Sequence, residues 1–288
     1  MYSCYNLSRV GDIMKEIIIE TFIDSIKLIP FLFIAFLIIE LIEHKFSKKQ
    51  IKLIEKSGKF GPIFGALLGM FPQCGFSVLA TNFYITRIIS LGTLIAIYLS
   101  TSDEMLPILL SRNVEIGLIL KILSIKFLVG VLFGFIIDIF CNSNKEKQNY
   151  LICKEDNCHC EHGILKSVLK HTFNILLFVL IINFILTTCF EYLGSDYISK
   201  IFFKDSLFGP FISSLVGLIP NCGASVMITE LYLNSAITFG SLISGLLTGS
   251  GVAIVVLMKS NKNIKENMKI VLMLYLIGVL TGIIVDIL

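Results

Sequence analysis

One segment of this chain occurs twice, and that repetition limits the possible folds more than any other feature. Phe60 to Thr86, FGPIFGALLGMFPQCGFSVLATNFYIT, returns from Phe208 to Ala236 as FGPFISSLVGLIPNCGASVMITELYLNSA. At a constant offset of 148 residues, Phe60 pairs with Phe208, Pro62 with Pro210, Gly69 with Gly217, Pro72 with Pro220, Cys74 with Cys222, Gly75 with Gly223, Ser77 with Ser225 and Thr81 with Thr229. The register continues without a gap through Gly92/Gly240, Ser102/Ser250, Gly130/Gly278, Gly134/Gly282 and Asp138/Asp286. Two copies of one structural unit are therefore expected, and the fold has to be read as a pair.

The unit is a membrane unit. Of 288 residues 55% are hydrophobic and only 16% charged, against roughly a quarter charged in soluble domains. Mean hydropathy is +0.86, and 23 residues are Phe. The net charge of +3 is small, with Lys and Arg spread over loops, so nothing favours nucleic-acid binding. Met1 to Lys15 lacks the basic start, apolar run and small-residue cleavage site of a secretory signal, so the spans themselves are expected to direct insertion.

A first span is predicted over Ile17–Ile42, with Glu20, Asp24 and Lys27 near its start and Pro30 inside it. The loop Glu43–Lys59 carries six lysines against Glu43 and Glu55, which makes it cytoplasmic by the positive-inside rule. Phe60–Thr86 is apolar but interrupted by Pro72, Gln73, Cys74 and Gly75, where proline removes a backbone donor and glycine adds freedom. Each half is about a dozen residues, roughly 18 Å of helix, too short for a core of about 30 Å. Either a re-entrant hairpin or one interrupted span fits. Leu91–Leu110 is interrupted at Ser100–Glu104, and its counterpart Leu242–Met258 at Thr248–Gly251. Continuous spans are predicted over Gly117–Phe140 and Met268–Leu288, and another over about Thr172–Tyr192.

The loops differ in charge between copies. Leu193–Leu207 is neutral where Glu43–Lys59 is basic, whereas the turn holding Lys259, Lys262, Lys265 and Lys269 is basic where Arg112 and Glu115 cancel. Equivalent loops then lie on opposite sides, and the repeats are inverted, with three or five crossings each, both termini outside and the central loop inside. The expected organisation is a first membrane repeat over residues 1–140, a cytoplasmic linker over 141–170 and a second, inverted repeat over 171–288. Inverted repeats with matching interrupted helices point to a secondary transporter whose substrate site lies at the repeat interface near the midplane. Freed backbone is tolerated there only where it is buried in protein or lines a wet cavity.

The doubled GP-x9-PxCGxS pattern, Gly61, Pro62, Pro72, Cys74, Gly75, Ser77 and Gly209, Pro210, Pro220, Cys222, Gly223, Ser225, resembles that of a bacterial and archaeal family of ten-transmembrane heavy-metal exporters, also labelled manganese transporters. The family is distantly similar to arsenical permeases. The resemblance covers nearly the whole chain. It implies an all-helical efflux carrier of about ten transmembrane elements in the cell membrane, moving a metal cation or metalloid, with the motif residues along the pathway.

Cys74 and Cys222 stand at the two interruptions. Thiolates suit Zn, Cu(I), Cd or trivalent arsenic and serve Mn or Mg poorly, although cysteine also packs well where backbones come close. Gln73 and Asn221 precede them, and Ser77 and Ser225 follow, giving a neutral mixed donor set. Asp103 and Glu104 have Gly251 and Val252 as mates. Ionisable residues at membrane depth are costly and are functional candidates, as oxygen ligands for a harder cation or as proton carriers for antiport. Glu230, aligned with Asn82, is a third acid of this kind. Cys153, Cys158, His159, Cys160 and His162 form a C-x4-C-H-C-x-H cluster in the linker, read in a reducing compartment as a soft-metal capturing loop or an unstructured linker. Asp138 and Asp286 are assigned to interfacial polar networks, and Gly130/Gly134 and Gly278/Gly282 to close helix packing.

With no GxxxxGK[ST] motif, proton exchange is the expected drive. No tightly bound cofactor is expected, and the metal ion is cargo. Oligomerisation is compatible with the sequence. Two alternatives stay open: the same architecture moving an organic or anionic solute at the half-helix N-termini of Gly75 and Gly223, and a membrane thiol-redox protein using Cys74 and Cys222.

Overall fold

A computed structural model describes residues 60–71, 74–102, 105–140 and 208–288, together with isolated helical positions between 23 and 37 and between 169 and 188. The first-span charges Glu20, Asp24 and Lys27, the loops 43–59 and 193–207, Pro72, Gln73, Asp103, Glu104 and the linker cluster Cys153, Cys158, His159, Cys160 and His162 lie outside the described residues.

Among the described residues the chain is all helix. The first half contributes α1 (Gly61–Gly69), α2 (Cys74–Ile85), α3 (Leu91–Ser100), α4 (Met105–Ser111) and α5 (Ile116–Phe140). The second contributes α6 (Gly209–Gly217), α7 (Cys222–Leu233), α8 (Phe239–Thr248), α9 (Ala253–Ser260) and α10 (Ile264–Ile287). Among the described residues four stretches are long and apolar enough to cross a membrane: Leu91–Ser111, Ile116–Phe140, Phe239–Ser260 and Ile264–Ile287. α10 begins four residues earlier than the hydropathy pattern suggests. Asn263 explains this, because its side chain accepts a hydrogen bond from the Glu266 N–H and caps the helix, so Lys265 and Lys269 enter it rather than the preceding turn.

The two halves are held by the same contacts at equivalent residues. Asp138, near the end of α5, accepts from the Gly92 N–H at 2.9 Å and the Ser90 hydroxyl at 2.7 Å. Asp286, near the end of α10, accepts from the Gly240 N–H at 2.7 Å and the Thr238 hydroxyl at 2.8 Å. Each carboxylate thus sits on the N-terminus of the neighbouring helix, α3 or α8, where the dipole and unpaired N–H groups favour an anion. The same pairs meet at glycine. A Cβ on Gly134 would lie 2.9 Å from the Gly92 carbonyl oxygen, and one on Gly282 would lie 2.7 Å from that of Gly240. Backbone touches backbone at both places, which is the small-residue packing the sequence anticipates.

α3 and α8 form the centre. Their residues are buried almost without exception, and the two helices pack on each other and on α5 and α10. Tyr98 is completely buried, its hydroxyl 2.6 Å from that of Thr81 on α2. α5 and α10 are the outer helices. They expose Leu128, Leu132 and Ile136, and Leu276, Leu280 and Ile284, matching apolar stripes at a spacing of four.

Contacts at the helix ends define two edges. At one, Gly61 meets Thr93 and Gly69 meets Ser100, so α1 starts beside the start of α3 and runs along it. α2 returns to that edge, where Arg87 donates to Glu266 of α10 at 2.9 and 3.2 Å, and the Tyr84 hydroxyl donates to the same carboxylate. Lys259, in the last turn of α9, donates to the Asn174 carbonyl at 2.8 Å. At the other edge, Lys121, near the start of α5, lies 4.6 Å from the ring centroid of Phe239, which opens α8. There too Arg112, just after α4, donates to Glu230 of α7 at 2.9 and 3.1 Å.

Candidate functional site

The repeated motif folds into the first turn of a half-length helix. In the second half Ile219, Pro220 and Asn221 link α6 to α7, and Asn221 is extended (φ −141°, ψ 140°). Proline in this link cannot donate, so the chain leaves the α6 ladder here. Asn221 then restarts it: its side-chain oxygen accepts from the Gly223 N–H at 2.8 Å, an N-cap. That N–H is one of the donors an anionic solute would need, and the protein already uses it.

The cap places Cys222 and Ser225 on one turn, 6% and 5% exposed. Beside them α8 ends at Thr248 and α9 begins at Ala253. Gly251 in this link has φ 55°, a left-handed conformation that a side chain rarely adopts. The position where a Cβ on Gly249 would be is 3.2 Å from Ser225 Oγ. The Ser250 hydroxyl is buried and among the described residues finds no hydrogen-bond partner. Ser225 is thus brought to the link between α8 and α9, one turn after Asn221, Cys222 and Gly223 open α7. In the first half Gly75 and Ser77 occupy the equivalent turn of α2, both buried, and the backbone of Cys74 opens that helix.

The halves cross over here. α2 packs against α9 of the other half, and α7 packs against α4 of the other half. Each motif helix therefore touches the partner half's helix just beyond the second interruption.

Glu230 is placed elsewhere. It lies eight residues after Cys222, about 12 Å along the helix, and bonds Arg112 with its side chain 29% exposed. Among the described residues no three His, Cys, Asp or Glu side chains converge. The motif turn supplies one thiol, from Cys222, and the Ser225 hydroxyl, soft and uncharged donors.

Lys126 is the residue that sequence reasoning misses. It sits in the first half of α5 and is 1% exposed, and its ammonium donates to the carbonyl oxygens of Thr101 and, at 2.7 Å, of Leu246. Thr101 immediately follows α3, and Leu246 is in the last turn of α8. The signal was present as a lysine inside a 25-residue apolar helix, with Leu274 at the equivalent place in the other half. A charge at bilayer depth costs about 3 kcal/mol even on insertion scales, so it is kept only where it has partners.

Buried central helices and long apolar outer helices define a multi-pass membrane protein built from two similar halves. The family model described as "Putative, 10TM heavy-metal exporter" matches residues 13–208 and 186–288, and the chain belongs to that family. Membership supports a metal-transporter role. No curated protein and no solved structure matches the chain.

Proposed function

We propose that the chain is a secondary transporter that exports a transition-metal or heavy-metal cation, or a metalloid, across the cell membrane through a midplane path between two inverted repeats. The turn that seats Asn221, Cys222 and Ser225 at the start of α7, with Ser225 Oγ against Gly249 beside the crossover of the halves, carries this reading.

The contacts at the two edges support the inversion. Asp138 brings the end of α5 to the edge where Arg87 holds the start of α10, and Lys121 brings the start of α5 to the edge where Asp286 ends α10. α5 and α10 then run in opposite directions. With α1 entering and α2 returning at one edge, α1–α2 and α6–α7 are re-entrant hairpins, while α3–α4 and α8–α9 are interrupted spans. Together with one preceding span, each repeat crosses three times, an odd number, as inversion requires. The edge holding Arg87, Lys259, Lys262 and Lys265 is the cytoplasmic one by its positive charge. Residues 1–140 and 171–288 form the repeats and 141–170 the cytoplasmic linker.

The ion pairs on the two faces each join one half to the other, Arg87 with Glu266 and Arg112 with Glu230. They close the path on both sides, and alternating access requires each to open in turn. Gln73, Cys74, Asp103 and Glu104 complete the substrate site, thiols selecting a soft ion and the acids carrying the exchanged proton or binding a harder ion such as manganese. The linker cysteines and histidines capture metal on the cytoplasmic side.

Metal flux in proteoliposomes loaded with a pH dye tests the reading, with Mn, Zn, Cd and arsenite as probes. Wild type is compared with the double variants Cys74→Ser/Cys222→Ser and Asp103→Asn/Glu104→Gln. Loss of Zn or Cd flux in the cysteine variant is the expected result. Mn flux lost only in the acid variant makes the cysteines packing residues, and no flux of any probe removes the metal reading.

A further inference from the structure

The ends of α3 and α8 meet at the centre of the molecule, and both are C-terminal ends. The last carbonyls of a helix lack intrahelical partners and carry the negative end of the dipole. Two such ends side by side repel each other and turn the Thr101 and Leu246 carbonyl oxygens to one buried place, an arrangement that favours a cation between them. Lys126 supplies it. Its Nζ reaches the Thr101 carbonyl just beyond α3 and the Leu246 carbonyl of α8, residues 25 and 120 positions away in sequence. The ammonium therefore bridges one half of the protein to the other, through backbone oxygen on both sides.

The repeat sharpens the point. Equivalent backbone is present in both halves, but Leu274 stands where the second half would have its own lysine. One cation serves two helix ends, placed off the pseudo-symmetry by a single substitution. The stem of Lys126 is buried with its head, so the charge is held in the core rather than reaching the surface.

We propose that Lys126 is a tethered cation: its ammonium occupies a monovalent-cation site built from the C-terminal ends of α3 and α8, in place of an ion from solution. The wild-type protein thereby keeps its two half-helix ends together without sodium, potassium or ammonium. Removing the side chain leaves an oxygen-lined space that a small cation fills. This inference rests on the geometry of the helix ends and not on which substrate is transported.

The test is the thermal stability of wild type, Lys126→Ala, Lys126→Gln and Leu274→Ala in lipid nanodiscs. Choline chloride is replaced stepwise by ammonium, sodium or potassium chloride at constant ionic strength. Lys126→Ala is expected to melt lower in choline and to gain stability saturably with ammonium or one alkali cation. At ten times the half-saturating concentration its folded-to-unfolded ratio should rise about tenfold. Wild type and Leu274→Ala should show no such response, and Lys126→Gln, which keeps an N–H donor, should fold in choline. The proposal is overturned if Lys126→Ala folds but ignores every cation, if wild type responds equally, or if Lys126→Ala folds in none of the salts while Lys126→Gln does. No arm of this experiment reads transport, so its failure and that of the metal reading are separable.

Discussion

The link between α3 and α4 and the link between α8 and α9 are the same feature in two copies, and they are chemically unlike. In the second half the interruption is made of Thr248, Gly249, Ser250, Gly251 and Val252, neutral throughout. In the first it is Ser100, Thr101, Ser102, Asp103 and Glu104, and the Thr101 carbonyl holds Lys126. The frame around both is equivalent down to single atoms: Asp138 and Asp286 cap α3 and α8, and Gly134 and Gly282 touch Gly92 and Gly240. Duplication supplies the scaffold, and divergence at a few positions supplies the charge. Equivalent residues hold the frame in both halves, and the residues that differ, Lys126 against Leu274 first among them, set the halves apart.

Substitutions at paired positions can break this division. The largest effect is expected where the pairing is already broken. Lys126→Leu copies the other half but strands the Thr101 and Leu246 carbonyls, and should cost about 3 kcal/mol or more in choline, whereas Leu274→Met should cost under about 1.5 kcal/mol. Thermal melts in nanodiscs give both numbers, and equal losses would remove the distinction. Next come the glycines. Gly134→Ala and Gly282→Ala each force a Cβ against a backbone carbonyl, and losses of about 1–3 kcal/mol that agree between the halves are expected. A loss in one half alone would mean that the common packing is not what holds α5 and α10.

Smaller still, Asp138→Ala and Asp286→Ala remove matched caps and should each cost about 1 kcal/mol. The smallest effect on stability is predicted for Arg112→Ala, since its pair with Glu230 is largely solvent-exposed and worth under about 1 kcal/mol. Its effect on flux should be larger than that on melting if the pair closes the path. Arg87→Ala sharpens the contrast between faces. The Arg87–Glu266 pair has two bonds and a tyrosine hydroxyl beside it, so its loss should exceed that of Arg112→Ala by the same measurement.

Much of this was legible in the sequence because it rests on local chemistry. Pro220 and Gly223 mark the start of α7 whatever surrounds them, and the repeat register by itself matches Asp138 with Asp286. The earlier start of α10 was not read, because hydropathy gives no weight to the Asn263 cap and counts Lys265, Glu266 and Lys269 against the helix. Whether Phe60–Thr86 turns back or crosses could not be settled by length, since a dozen residues per half fits both. It depends on Gly61 and Gly69 lying along α3, which only packing decides. Glu230 was read as a deep acid because its partner Arg112 is 118 residues away. Lys126 was overlooked because hydropathy does not announce which way a lysine in a long apolar run faces.

The central claim is that substrate passes the motif turn at Cys222, and alkylation of that thiol tests it most directly. The intact chain in proteoliposomes is treated with a membrane-permeant maleimide, with and without saturating Zn, Cd or arsenite, and modification of Cys222 is followed by site-resolved mass spectrometry. The account predicts that one of these ions slows Cys222 alkylation at least severalfold. Alkylation of Cys222 at the same rate with and without every probe, in protein shown to move that probe, would place the path elsewhere.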